Sequence, residues 1–250
     1  MTASVDLNAD VGEGFPDAGL MPYLSSCNIA CGAHAGELRT MSAALVAARA
    51  AGVSCGAHPG YPDREAFGRR EMAMTLSELS QTVTGQIETL ASAARSARVP
   101  LRHVKPHGAL YHACARRRDV ARALAEAVAR HDTRLVLVGF AGSVLVEEGS
   151  RAGLRAEGEA FADRQYAVDG SLTPRGRPGA LIEDPDVAAA QALSIVRDRA
   201  VTASDGGRLS VEAQTICLHG DTPGAVAIAK AVRAALEGAG IEIRAIGGGG

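Results

Sequence analysis

The sequence predicts an α/β fold, a single β/α barrel of seven or eight strands. Short β-type runs alternate with longer Ala-rich helical runs from end to end, which is typical of parallel βα units. The chain has 250 residues, the length of one such barrel. No repeat or linker divides it, so we assign residues 1–246 to one domain, with an open doubly wound sheet as the alternative. The glycines at 247–250 are expected to form a flexible tail.

The elements follow one another in a regular order. We predict strands at 4–8, 27–31, 53–57, 102–105, 135–139, 155–159, 179–182 and 214–218, of which 179–182 has the weakest pattern. We predict helices at 38–51, 77–97, 117–131, 143–152, 185–199 and 223–239. Three helix starts have typical capping or first-turn residues: Thr75 with Glu78, Asp184 with Pro185, and Thr222 with Pro223.

Composition limits the classes of function. A net charge of -2 and a pI of about 6.4 give no basic surface for nucleic acid or an anionic membrane. The start of the chain has no signal-peptide pattern, and no apolar run reaches the roughly 18 residues of a membrane span, so we expect a cytoplasmic protein. The five cysteines are scattered and odd in number, which predicts buried, reduced thiols.

Polar residues fall where the predicted strands end. The carboxyl ends of parallel strands meet on one face, so these side chains are expected to share one pocket. Helix capping favours Ser, Thr, Asp and Asn at such positions and has no need of His or Lys. The sequence therefore predicts an active site formed by Asp6, Asn8, Asp10, His34, His58, Lys105, His107, Glu159, His219 and Asp221.

The first strand contributes three of these residues. Side chains alternate across a strand, so Asp6, Asn8 and Asp10 point to one side and Val5 and Leu7 to the other. In a closed barrel the polar side faces the interior. The first strand is thus expected to provide one polar wall of the pocket.

The pattern leaves room for two further kinds of site. His103 and His107 have the helical spacing of a metal site, but Pro106 between them argues against a helix there. A metal ion held across strand ends by Asp10 or Asp6, His34 and His58 remains an alternative to a site without metal. No segment fits the Walker A pattern or a full dinucleotide fingerprint, so an autonomous nucleotide-binding fold is not predicted.

Six segments of the chain have distinctive sequences. They are DLNADVGEG (6–14), NIACGAHAG (28–36), GAHPGYPDR (56–64), HVKPHGALY (103–111), FADR (161–164) and CLHGD (217–221). Together they resemble the LamB/YcsF family, in the same order and over almost the whole chain. The resemblance implies a β/α barrel related to sugar deacetylases and some glycosidases. It also implies cleavage of 5-oxo-L-proline to L-glutamate, coupled to ATP hydrolysis in a complex with B and C subunits.

This reaction suggests roles for the strand-end residues. Asp10 or Asp6 would act as the base, Lys105 would hold the carbonyl or phosphate oxygen, and His107 or His219 would donate a proton. The substrate carboxylate would bind Arg64, Arg69 or Arg164. With no Walker A motif, phosphorylation by ATP is expected on the B and C subunits.

Two other functions remain open from the sequence. The chain would alternatively be a metal-dependent amidohydrolase or deacetylase that acts without ATP. It would otherwise be a non-catalytic subunit that holds a small substrate for its partners. The number of proton-transferring side chains at the strand ends favours a catalytic subunit.

Overall fold

The computed structural model describes residues 3–15 and 17–247, which form ten strands and seven α-helices. The strands are β1 (Ser4–Val11), β2 (Ser26–Ala30), β3 (Ser54–His58), β4 (Leu101–Val104), β5 (Val136–Phe140), β6 (Ala156–Phe161), β7 (Ala200–Thr202), β8 (Arg208–Ser210), β9 (Thr215–His219) and β10 (Glu242–Ile243). The helices are α1 (Leu38–Ala51), α2 (Leu76–Ala97), α3 (Gly108–Arg116), α4 (Arg118–His131), α5 (Val144–Arg151), α6 (Pro185–Arg197) and α7 (Ala225–Gly238).

Seven of these strands form a closed parallel barrel in the order β1-β2-β3-β4-β5-β6-β9. The barrel closes because β1 pairs with β2 on one side and with β9 on the other. Strand β10 lies beside the start of β1, and β7 and β8 form a separate antiparallel hairpin. The single barrel is confirmed with seven strands, and the open sheet is not formed.

Strand β1 shows how the two sides of the barrel wall differ. Leu7, Ala9 and Val11 are fully buried in the apolar core that the helices cover. On the inner side, the Asn8 amide nitrogen lies 3.0 Å from Oε1 of Glu159 on β6, across the interior. The predicted alternation is therefore confirmed, and the barrel encloses a polar interior.

Local signals place the helix starts. Thr75 and Glu78 form a reciprocal capping box at the start of α2, and the Asp184 carboxylate accepts two backbone hydrogen bonds at the start of α6. Helix α7 begins at Ala225 rather than at 223. The reason is Gly224, whose φ of 74° is left-handed and keeps the preceding residues out of the helix.

The structure also corrects which elements are present. Residues 179–182 are not a strand, since only Leu181 makes a bridge, to Arg164, within a loop. Helix α3 and the β7–β8 hairpin were not predicted. Helix α3 begins at Gly108, a weak helix former with a φ of 52°, directly after Pro106 and His107. Because proline and glycine usually interrupt helices, the start of α3 was not recognised in the sequence.

The remaining expectations concern the chain end, membranes and cysteines. Ile246 packs against Val136 and Val138, while residues 248–250 of the predicted glycine tail lie outside the described residues. Among the described helices, none has both the length and the apolar character to cross a bilayer. All five cysteines are buried and free, as expected for reduced thiols.

Candidate active site

The carboxyl ends of the barrel strands open into one cavity of about 390 Å³. Because the barrel strands are parallel, the loops that follow them meet at this end. The lining combines residues from the loops after β1, β3, β4, β6 and β9. Eight of the predicted site residues line it: Asp10, His58, Arg69, Lys105, His107, Arg164, His219 and Asp221.

A buried ion-pair network forms the floor of the cavity. Lys105 Nζ lies 3.0 Å from Oδ1 of Asp10 and 2.9 Å from Oε1 of Glu159. The Asn28 amide also donates to Oδ1 of Asp10, at 2.8 Å. Burial alone would lower the pKa of Lys105, but the negative charges of Asp10 and Glu159 raise it well above its ordinary value. Lys105 is thus a fixed positive charge beneath the cavity.

Asp10 is held as a carboxylate. Burial alone would raise the pKa of Asp10, but the charges of His58 and Lys105 outweigh burial and hold it well below its ordinary value. A carboxylate with so low a pKa is a weak proton acceptor. Asp10 therefore suits the orientation of Lys105 better than the role of general base.

Beside this network, three histidine rings surround the Glu13 carboxylate. Oε1 of Glu13 lies 3.0 Å from Nε2 of His34 and 3.1 Å from Nδ1 of His107. The rings of His34 and His107 stack with their centroids 3.7 Å apart, and Nε2 of His58 lies 3.2 Å from Oδ2 of Asp10. Burial lowers the pKa of His34 to about 4, so this ring is neutral near neutral pH.

Backbone carbonyls fix the outer nitrogens of two of these rings. Nδ1 of His58 lies 2.8 Å from the carbonyl oxygen of Lys105, and Nε2 of His107 lies 2.9 Å from that of Phe67. A carbonyl oxygen only accepts, so each of these nitrogens carries the hydrogen. When the rings are neutral, the inner nitrogens, which are Nε2 of His58 and Nδ1 of His107, carry no hydrogen. These two nitrogens lie 3.0 Å apart.

At the end of β9, next to Asp10 on β1, His219 forms a dyad with Asp163. Oδ1 of Asp163 lies 2.9 Å from Nδ1 of His219, and Oδ2 accepts from the His219 backbone N–H and from the Thr222 hydroxyl. Asp163 is buried, and the His219 side chain is 12% exposed toward the cavity. The carboxylate holds Nδ1 protonated, which leaves Nε2 of His219 for proton transfer.

Arginines form the outer rim. Asp221 pairs with Arg69 at 2.7 Å and with Arg175 at 3.1 Å. Arg164 is buried and bonds the carbonyl oxygens of Thr173 and Ala180; among the described residues it has no carboxylate within ion-pair distance. Burial and the charge of Arg175 lower the pKa of Arg164 to about 10. The rim is suited to an anionic group.

Five predicted residues lie outside the cavity lining. Asn8 and Glu159 lie beneath it in the barrel, and His34 lies behind His107. Asp6 lies deeper, where it accepts hydrogen bonds from Ser25, Ser26 and Thr215. Arg64 binds the carbonyl oxygens of residues 32 and 36 in the neighbouring loop. Asp6 and Arg64 are thus not brought to the site.

The alternative metal set of Asp10, His34 and His58 does not converge on one point. Among the residues that the structure describes, two other groups of potential ligands converge, each with ligand atoms within 4.8 Å of one another. One contains Asp10, Cys217 and His219. The other contains Glu13, His34, His58 and His107.

Sequence reasoning missed Glu13, Asp163 and Arg175. Glu13 stands three residues after Asp10 in a glycine-rich turn, where an acidic residue is ordinarily solvated. Asp163 lies two residues after β6, at the end of a barrel strand, which is the signal that would have identified it. Arg175 belongs to the long segment between β6 and α6, and only the fold brings it to the rim.

A parallel barrel with Lys, His and carboxylate groups at its strand ends defines the class of α/β-barrel proteins with a polar active-site mouth. The sequence profile of the LamB/YcsF family matches residues 5–248. The chain belongs to this family, which confirms the resemblance found in its sequence.

Several named proteins are similar over nearly the whole chain. A protein from Chloroflexus aggregans, named as the A subunit of 5-oxoprolinase, is 50% identical, covering 96% of this chain and 98% of its own. A protein of the same name from Thermus thermophilus is 48% identical, covering 96% of this chain and 99% of its own. The crystal structure of a lactam utilization protein from Thermus thermophilus has a TM-score of 0.90 at 47% identity, covering 97% and 99%.

A more distant structural likeness concerns the fold alone. A deacetylase solved with its substrate has a TM-score of 0.52 at 14% identity, covering 97% of this chain and 87% of its own. The predicted relation to deacetylase barrels is confirmed at the level of the fold.

Proposed function

We propose that this chain is the lactam-cleaving A subunit of an ATP-dependent 5-oxoprolinase. It would open 5-oxo-L-proline to L-glutamate in the cytoplasm, in a complex with B and C subunits. The names of relatives that are about half identical over their full length support the subunit role. The observation that carries the proposal is that His219, held by Asp163, lines the same cavity as the Lys105–Asp10 pair and lies on the strand next to that of Asp10.

The chemistry of a lactam requires the groups that meet in this cavity. Resonance makes the amide carbon a poor electrophile, and phosphorylation of the amide oxygen by ATP would turn that oxygen into a leaving group. Water then adds to the carbon, the ring C–N bond breaks and the nitrogen takes up a proton, which leaves an acyl phosphate. A second water hydrolyses this acyl phosphate and releases glutamate and phosphate. The site must therefore move a proton and stabilise negative charge on oxygen.

His219 is suited to the proton transfers. An imidazole both accepts and releases protons near neutral pH. With Nδ1 held by Asp163, Nε2 would take the proton of the attacking water and later deliver it to the ring nitrogen. His107, the other predicted donor, has one nitrogen bound to the Phe67 carbonyl and the other turned toward Glu13 and His58, so it is less free to act.

Lys105 and Arg164 would hold the two anionic parts of the substrate. The Lys105 ammonium lies beneath the cavity and would stabilise the charge that develops on the oxygen. Arg164 has a buried guanidinium with no carboxylate partner among the described residues, which favours an anion from the substrate, its carboxylate or a phosphoryl group. Asp221 would keep Arg69 and Arg175 in place.

The test reconstitutes the complex from this chain and its B and C partners. We expect glutamate release from 5-oxoproline to require ATP and all three chains. ATP-independent release by this chain alone would favour the amidohydrolase instead. Normal turnover by a complex that carries Lys105→Met would favour a non-catalytic binding role. Omission of each of the three chains in turn would show which of them carry the ATPase activity.

A further inference from the structure

Three atoms at one end of the cavity form a compact triangle of possible metal ligands. Nε2 of His58 and Nδ1 of His107 are 3.0 Å apart, and Oε1 of Glu13 lies 3.1 Å from the His107 nitrogen and 3.7 Å from the His58 nitrogen. All three residues line the cavity. Oδ2 of Asp10 is next to the triangle, 3.2 Å from the His58 nitrogen.

No placement of protons on the two rings alone satisfies the contacts of this triangle. The outer nitrogens of both rings already carry hydrogen, because each faces a carbonyl oxygen. If Nδ1 of His107 carried the proton, Nε2 of His58 would have none, and its lone pair would point at the lone pairs of Asp10 Oδ2. If Nε2 of His58 carried the proton instead, the bare Nδ1 of His107 would point its lone pair at Oε1 of Glu13. Protons on both would place two N–H groups head to head at 3.0 Å.

We propose that Glu13, His58 and His107 bind one divalent transition-metal cation of the zinc type. A single cation satisfies all three atoms at once, because each then directs a lone pair at a positive charge. Zn–N and Zn–O bonds of about 2.0–2.1 Å place tetrahedral ligand atoms roughly 3.3–3.4 Å apart. The observed separations of 3.0, 3.1 and 3.7 Å bracket that value.

The surroundings hold the ligands in place before any ion binds. The two carbonyl oxygens fix the tautomers of His58 and His107, a common arrangement around metal-binding imidazoles. His34 contacts Glu13 and stacks on His107 at an interplanar angle of 2°. Gly68 makes room for this stack, since a Cβ there would lie 2.7 Å from His34 and 2.9 Å from His107.

The ligand set indicates both the metal and its use. Two imidazoles and one carboxylate suit zinc and related ions, and three protein ligands leave a fourth position open. Because the three ligands line the cavity, a cation there would act as a Lewis acid on a water or a carbonyl oxygen. The metal site is inferred from the geometry of the three ligands alone, and it does not depend on the identity of the substrate.

The test measures metal binding by the isolated full-length chain, without partners, ATP or substrate. Metal-free protein is titrated with Zn²⁺ against a chromophoric chelator. We expect one Zn²⁺ per chain, and at least about a 100-fold weaker affinity in Glu13→Gln and in His58→Gln, since each removes a ligand. The control Asp163→Asn removes a buried carboxylate that bonds His219 and Thr222 and none of the three ligands, and its affinity should stay within about threefold.

Substitution with Co²⁺ supplies a measurement that needs no variant. We expect the visible spectrum of a four-coordinate ion with nitrogen and oxygen ligands and without a thiolate charge-transfer band. A thiolate band, or loss of binding in Asp163→Asn alone, would place the ion at the Asp10, Cys217 and His219 group and overturn the proposal. Absence of stoichiometric Zn²⁺ and Co²⁺ binding by the wild-type chain would overturn it too. Neither result bears on lactam cleavage, which the reconstituted complex tests separately.

Discussion

The two ends of strand β1 place the same side chain in opposite surroundings. Asp6 lies in the closed part of the barrel, where hydroxyl groups of Ser25, Ser26 and Thr215 donate to its carboxylate. Burial raises the pKa of Asp6 despite these hydrogen bonds. Four residues on, Asp10 lies at the cavity and is surrounded by the charged or ionisable groups of Lys105, His58 and Glu13.

This difference separates structural from functional polar groups in one barrel. The neutral hydroxyl partners of Asp6 satisfy its carboxylate and need nothing from outside the barrel. Around Asp10 the contacts are ionic, and several acceptor atoms face one another. Such an arrangement becomes favourable when a substrate, a proton or an ion lies between these atoms. The same residue type on the same strand therefore contributes to stability at one end and to chemistry at the other.

The largest effect is expected from Asp10→Asn. The amide would turn an N–H group toward Lys105 or His58 and remove the negative charge that orients the ammonium. We expect kcat/KM of the reconstituted complex to fall by at least about 10³-fold, with the thermal stability of the chain little changed. Glutamate release and a thermal melt of the same preparation measure both quantities.

Asp6→Asn is the matched control on the same strand. We expect a loss of about 1–3 kcal/mol in the free energy of unfolding, because hydroxyl groups that donate to the carboxylate must rearrange. Activity per folded molecule should stay within about threefold. An equal loss of turnover in both variants would show that the two ends of β1 do not differ as described.

A smaller effect is expected at the Asp163–His219 dyad, beside Asp10 on the neighbouring strand. His219→Gln removes the proton carrier and should lower kcat by about 10²-fold, while KM changes little because Arg164 and Lys105 still hold the substrate. Asp163→Asn should lower kcat in the same way, since Asp163 acts by positioning His219. Steady-state kinetics of both complexes decide this. A rise in KM at unchanged kcat would instead assign the dyad to substrate binding.

The smallest effect concerns His103, which lies in the barrel interior with Nε2 2.8 Å from the Asn28 side-chain oxygen. Burial and the charge of Lys105 lower the pKa of His103 to about 3, against about 6.5 in the unfolded chain. The neutral ring therefore contributes stability that is fully present above pH 6.5 and is lost as the pH falls toward 3.

Urea unfolding of the wild-type chain and of His103→Gln at pH 7.5, 6.5 and 5.5 measures this contribution. Below pH 6.5 the wild type should lose about 1 kcal/mol per pH unit more than the variant. Parallel pH dependences in the two proteins would contradict the buried neutral state of His103.

Much of the architecture follows from short-range patterns in the sequence. The alternation of β-type and helical runs predicts the barrel, and the period-2 pattern of Asp6, Asn8 and Asp10 predicts its polar inner wall. Capping residues such as Thr75 and Asp184 predict helix starts correctly. These signals are local, since they depend on backbone geometry and on side chains a few residues apart.

Sequence alone thus determined the fold class, the family and which end of the strands carries the polar residues. Only the tertiary structure decided which of them meet: it retained Asp10 and set Asp6 apart, joined Glu13 to three histidines, and paired Asp163 with His219. The physical reason is that strand-end position fixes a residue's side of the barrel but not its depth. Hydrogen-bond partners that are far apart in the sequence, such as Asp6 and Thr215 at a separation of 209 residues, are set by barrel closure.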